Sequence, residues 1–103
     1  MLGSYSGHSV VAVRLNGTLH VCESTGKNTP DYWPPPYGVI CHPYQEWMSL
    51  AMKAGYSVSM MPLRKDLQSI FNEEKAQQFI QSRLGLPYGL FFIFYLFLFL
   101  FIF

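Results

Sequence analysis

The stretch "HSVVAVRLNGTLHVCE", His8 to Glu23, decides the fold because it contains two strand-like runs joined by Asn16-Gly17. Both runs are rich in β-branched residues, which favour extended backbone. Asn and Gly accept the positive φ angles that a type I′ turn requires, so this pair between strand-like runs is a strong hairpin signal. The stretch therefore predicts an antiparallel β-hairpin with a two-residue turn.

The register of this hairpin decides which polar side chains share a face of the sheet. With a two-residue turn, Val10 lies opposite Glu23. His8 and Glu23 then lie on one face as diagonal neighbours, about 7 to 8 Å apart at the backbone, and one hydrogen bond can join the imidazole to the carboxylate. Cys22 and His20 point to the opposite face. A slip of one residue would reverse this assignment.

The rest of the chain adds helices and a further strand to the hairpin. Residues 43–54 carry apolar side chains at helical spacing, Trp47 among them, and predict the first helix. Asn72 is expected to cap a second helix that runs to about Leu84, with acidic residues in its first turn. The alternating stretch "YSVSMMPL", Tyr56 to Leu63, predicts a third strand. We therefore expect an α+β fold, a β-hairpin plus a third strand packed with two main helices.

A long loop separates the hairpin from the first helix. Residues 24–38 are dense in Pro, Gly, Asn and Ser, which excludes a helix there. Tyr32, Trp33 and Tyr37 lie around its three consecutive prolines. These aromatic side chains either pack the loop onto the sheet or form an exposed docking surface for a partner.

The composition excludes a nucleic-acid partner. The net charge is +1 and only 13% of residues are charged, whereas neutralising phosphates requires clustered Lys and Arg. Cys22 and Cys41 are too few for a disulfide scaffold or a zinc knuckle, and whether they form a single bridge stays open. No metal or other cofactor is predicted. Because the N-terminus lacks the pattern of a signal peptide, we expect a reducing, cytoplasmic environment.

The last fourteen residues, "LFFIFYLFLFLFIF" from Leu90 to Phe103, hold seven of the nine phenylalanines. At about 1.5 Å per residue they reach about 21 Å as a helix, less than the roughly 30 Å of bilayer hydrocarbon. Three interpretations stay open: a gene-model artefact in which a pyrimidine-rich non-coding stretch is read in frame, membrane contact through Leu90–Phe103, or a buried or aggregating β segment. We accordingly divide the chain into a domain at residues 1–89 and a hydrophobic tail at residues 90–103.

The pairing of His8 with Glu23 has two interpretations. An imidazole held by a carboxylate is the base and orienting part of a nucleophilic triad, since the acid fixes the tautomer and stabilises the imidazolium. Alternatively, His8 is an ordinary buried histidine, and Glu23 is simply the nearby acceptor that satisfies its hydrogen-bonding requirement.

The stretches "GSYSGHSVVAVRLNGTLHVCEST", "YWPPPYGVICHPYQEW" and "GLPYG" resemble a family of eukaryotic proteins, common in plants, that is similar to permuted papain-like (NlpC/YiiX-like) cysteine hydrolases. The resemblance covers roughly residues 3–89. It implies that His8 is the general base, that Glu23 is the third member of the triad, and that the nucleophilic cysteine lies downstream of residue 89. Cys41 precedes a helix but does not match the position of the family's nucleophile.

The resemblance implies a partial permuted papain-like domain, a fragment of a cysteine-type hydrolase that acts on an amide, ester or thioester. We expect the fragment to be inactive because it lacks its nucleophile. The alternative is a small membrane-associated protein in which the Tyr/Trp/Pro loop serves as a soluble interaction module. The sequence does not identify a substrate.

Overall fold

The protein forms a three-stranded antiparallel sheet with a helix packed against each face. The computed structural model describes residues 8–26 and 33–87. In chain order the strands are β1 (Val11–Leu15), β2 (Thr18–Thr25) and β3 (Gly38–Pro43), and β2 is central. The helices are α1 (Tyr44–Lys53), α2 (Lys65–Gln68) and α3 (Glu73–Arg83). These elements confirm the predicted α+β class.

The hairpin has the predicted turn and register. Leu15 pairs with Thr18 across the turn. Asn16 and Gly17 have φ angles of 54° and 80°, the positive values of a type I′ turn. Because this turn type matches the right-handed twist of the strands, it fixes the side-chain parity along β1 and β2.

The third strand is not where the sequence predicted it. Residues 56–63 form no strand, and most of their large side chains are exposed, with Met61 at 93%. Instead β3 pairs along β2, and its Val39 and Ile40 are 1% and 7% exposed. The prediction at 56–63 was wrong because alternation marks a strand with one face in water, whereas a strand covered on both faces is a short continuous apolar run.

Two core clusters lie on opposite faces of the sheet, because successive residues of a strand point to opposite sides. Helix α3 contributes to the first cluster, and α1 contributes to the second. The first cluster consists of Val13, Leu15, Cys22, Val39, Ala76 and Ile80. The second consists of Val21, Trp33, Trp47 and Ala51. Trp33 is only 2% exposed, so this residue of the proline-rich loop packs onto the sheet and does not form a docking surface.

A disulfide joins the central strand β2 to the edge strand β3. Cys22 and Cys41 are directly opposite in the register of β2 and β3, with Cα atoms 4.1 Å apart. The structure thus forms the bridge that the sequence left open, and it differs from the reduced state expected for a cytoplasmic protein. No free cysteine is present among residues 8–26 and 33–87.

The chain after α3 returns to the outer edge of β3. The Val39 amide donates to the Leu86 carbonyl oxygen at 2.8 Å, and the Gly85 amide donates to the Val39 carbonyl oxygen at 2.9 Å. Gly85 and Leu86 therefore lie opposite the single residue Val39. Gly85 also has a φ of +86°, as in a G1 β-bulge. Gly38 lies at the closest approach, where an added Cβ would collide with the Leu86 carbonyl oxygen.

Helix α3 begins where the sequence predicted. The Asn72 side chain accepts a hydrogen bond from the Lys75 amide at 2.9 Å, which satisfies one of the amides without a helical partner. The part of the chain that the structure describes contains no helix with the length and apolar character needed to span a bilayer. Leu90–Phe103, the predicted hydrophobic tail, lies outside the described residues.

Candidate functional site

Glu23 is a carboxylate buried in the central strand. Its side chain points to the α1 side of the sheet, the same side as Val21, and it is only 2% exposed. Removing a carboxylate from water is costly unless hydrogen-bond donors replace the lost hydration. The structure supplies two donors, one to each carboxylate oxygen.

The first donor is the predicted partner, His8. Its Nε2 lies 2.8 Å from Glu23 Oε1, and the His8 side chain is 39% exposed. The structure therefore confirms that the two side chains share one face and are joined by a hydrogen bond. A carboxylate can only accept, so Nε2 carries the proton and the lone pair of the neutral imidazole lies on Nδ1. This arrangement leaves Nδ1 as the basic nitrogen of His8.

The second donor, Trp47, was not predicted to belong to the site. Its indole Nε1 donates to Glu23 Oε2 at 2.6 Å, and Trp47 is 5% exposed on α1. The sequence placed Trp47 in the apolar stripe of α1, and the structure does bury it in a core cluster. A buried indole N–H nearly always has an acceptor, and that rule is the signal that could have indicated the bond. Which acceptor it meets depends on the face of the sheet that α1 covers.

The Trp33 ring packs against the Trp47 indole. The Trp33 ring lies edge-on to Trp47 and to His42, with centroid distances of 6.3 Å and 6.4 Å, and 6.0 Å from Tyr56. Trp33 Nε1 is buried and has no hydrogen-bond partner among the described residues. Trp33 thus contributes packing to the site, whereas Trp47 contributes packing and a hydrogen bond. Glu23 and Trp47 are 2% and 5% exposed, so their hydrogen bond lies away from water, where electrostatic interactions are stronger.

Neither cysteine can react with His8 in this fold. Cys22 precedes Glu23 in β2 and therefore points to the opposite face, where it packs in the α3 cluster. Cys41 lies on that face as well, since it is bonded to Cys22. Cys41 is therefore excluded as a substitute nucleophile, because it is bonded to Cys22 and lies on the face of the sheet opposite His8.

The site contains no cluster of metal ligands. Within residues 8–26 and 33–87, no group of three His, Cys, Asp or Glu side chains is arranged to hold a metal ion. The site is therefore composed of a partly exposed imidazole, a buried carboxylate and an indole donor.

The comparisons with known proteins do not identify the chain. No family model, no curated protein and no solved structure matches it. The function must therefore be argued from the geometry of His8, Glu23 and Trp47.

Proposed function

We propose that this domain is the histidine-bearing part of a cysteine-type hydrolase of the permuted papain-like kind. His8 would be the general base, and Glu23 would orient it. The observation that carries the proposal is the 2.8 Å hydrogen bond from His8 Nε2 to the buried Glu23. A carboxylate in this position holds the imidazole in one tautomer and stabilises the imidazolium that forms when the base takes a proton.

The reaction assigned to this dyad is acyl transfer to a thiol. His8 Nδ1 accepts the proton of the thiol, and the thiolate attacks the carbonyl carbon of an amide, ester or thioester. The imidazolium then gives this proton to the leaving group as its bond to the carbonyl carbon breaks. Water, activated by the same imidazole, hydrolyses the thioester intermediate and restores the thiol. His8 is suited to this exchange because its ring is partly exposed while its orienting carboxylate is buried.

The thiol must come from outside the described residues. Cys22 and Cys41 are bonded to each other on the opposite face of the sheet. We therefore expect the 103-residue chain to be inactive as a hydrolase when purified. The resemblance implies that the missing cysteine belongs downstream of residue 89.

The test is to sequence the transcript beyond the codon of Tyr88 and to express the chain that it encodes. We expect a reading frame that continues into a helix beginning with a cysteine, and a thiol-dependent hydrolase activity towards model thioesters. That activity should be lost in His8→Ala and retained in the matched control His20→Ala, whose ring donates to the Thr18 carbonyl oxygen.

Three outcomes would contradict the proposal. The first is a transcript that encodes no further cysteine. The second is hydrolase activity that survives His8→Ala. The third is thiol-dependent turnover by the 103-residue chain itself, because its two cysteines are bonded to each other on the face of the sheet opposite His8.

A further inference from the structure

We infer that Trp47 is a positioning residue for the dyad: its indole N–H fixes the rotation of the Glu23 carboxylate, which in turn fixes the His8 ring. This inference rests on the proposed function and deepens it. It begins from the unequal environments of the two carboxylate oxygens, since Oε1 faces His8 at 2.8 Å and Oε2 faces Trp47 at 2.6 Å.

A carboxylate with a single donor can rotate about its terminal bond, because torsions of this kind are broad and weakly restricted. Rotation moves Oε1 out of line with the imidazole N–H and weakens a bond that depends on angle. A second donor on Oε2 removes this freedom. Trp47 therefore acts on His8 through Glu23, without contacting the reacting atoms.

Trp47 is itself held rigidly. It lies on the ten-residue helix α1, is 5% exposed and packs in one cluster with Val21, Trp33 and Ala51. A donor on a packed helix keeps its position more precisely than one on a loop. In addition, the bond lies away from water, where losing the donor would leave Oε2 unsatisfied.

Trp33 supplies a matched control. It belongs to the same core cluster and is 2% exposed, but its Nε1 has no partner in the described part of the chain. Trp33→Phe and Trp47→Phe each replace a buried indole by a phenyl ring, so both should lower stability. Only Trp47→Phe removes a hydrogen bond to Glu23.

The experiment measures the exchange of the His8 Nε2 proton with water by ¹⁵N-edited NMR on the full chain. We expect Trp47→Phe to speed this exchange by about tenfold or more. Tenfold corresponds to about 1.4 kcal/mol, near the lower end of what a hydrogen bond to a charged group contributes. Trp33→Phe should change the exchange by less than about twofold, a bound well below that tenfold effect. Urea unfolding of both variants shows whether their losses of global stability are comparable.

Equal exchange rates in Trp47→Phe and the unchanged protein would overturn the inference. Glu23→Gln separates this failure from a failure of the proposed function: if it also leaves the Nε2 proton unaffected, the His8–Glu23 dyad itself is wrong. Should Trp47→Phe not fold, the indole N–H resonances of Glu23→Gln provide a second measurement. The Trp47 resonance should shift and the Trp33 resonance should not, and a Trp47 resonance that stays in place would refute the bond.

Discussion

Replacing Glu23 by Gln tests the energetic core of the site. The substitution preserves the shape of the side chain but replaces one acceptor oxygen by an NH₂ donor. Glu23 now accepts from both His8 Nε2 and Trp47 Nε1. A Gln accepts from only one of them, and its NH₂ group then faces either the Trp47 N–H, which is a clash of two donors, or His8 Nε2, which can accept only after the ring proton moves to Nδ1. The variant thus loses both hydrogen bonds to a charged acceptor, and it either places two donors against each other or changes the tautomer of His8.

The expected cost follows from these contacts. A hydrogen bond to a charged group contributes about 1.5 to 3 kcal/mol. Both bonds to Glu23 lie where its side chain is only 2% exposed. The neutral Gln is cheaper to bury than a carboxylate, which offsets part of the loss. We therefore expect Glu23→Gln to lower the free energy of unfolding by about 2 kcal/mol.

Urea denaturation followed by tryptophan fluorescence measures this change, with the slope m checking that the unfolding transition is otherwise unaltered. The control is Glu46→Gln, an exposed acidic residue in the first turn of α1. Its loss should stay below about 1 kcal/mol because Glu46 is exposed and a charge in the first turn stabilises a helix by about 1 kcal/mol at most through the helix dipole. A Glu23→Gln loss no larger than that of the control would refute the claim that Glu23 is a doubly bonded, buried carboxylate.

The double variant Glu23→Gln/Trp47→Phe extends the test. Residues that share a hydrogen bond show coupling energies of about 0.5 to 3 kcal/mol, whereas independent sites are additive. We expect coupling within this range for Glu23 with Trp47. Additive losses would indicate that the 2.6 Å contact contributes nothing beyond packing.

Three further predictions concern the framework around the site. Gly38→Ala should cost more than about 2 kcal/mol in urea unfolding, since it combines a positive φ of +102° with a collision of the new Cβ. Gly55→Ala, at φ +73° in open space, should cost only about 1 kcal/mol, and equal losses would contradict this account. Ile80→Ala should cost about 3 kcal/mol because Ile80 is fully buried in the α3 cluster, and a loss under 1 kcal/mol would argue against that core. Removing the disulfide with Cys22→Ala/Cys41→Ala should cost about 3 kcal/mol for a sequence separation of 19 residues; a reductant should destabilise the unchanged protein but not this variant.

Local chemistry was enough to predict the hairpin and the His8–Glu23 pair. The φ angles that Asn16 and Gly17 accept fix a two-residue turn, and that turn fixes the register. Since side chains alternate with a period of two, the register alone assigns Glu23 and Cys22 to opposite faces. The N-cap at Asn72 was predictable for the same reason, because a cap is a contact between residues three apart.

The third strand and the disulfide depended on pairing between distant parts of the chain. Residues 56–63 have a better alternating pattern than β3, yet β3 is the strand that pairs with β2. A strand becomes stable only when a neighbour accepts its hydrogen bonds and at least one of its faces is covered, and neither condition is written in its own residues. The bridge between Cys22 and Cys41 follows from that pairing, since it requires the two residues to be directly opposite.

The sequence by itself therefore determined one half of the site, namely the register of the hairpin that places His8 and Glu23 on the same face of the sheet. The tertiary structure alone decided the other half, in which α1 covers the Glu23 face and its Trp47 reaches the second carboxylate oxygen. The physical reason is the range of the interactions. A turn acts between neighbours in the chain, whereas Glu23 and Trp47 are 24 positions apart and are brought together by burial of apolar surface, which has no preferred direction.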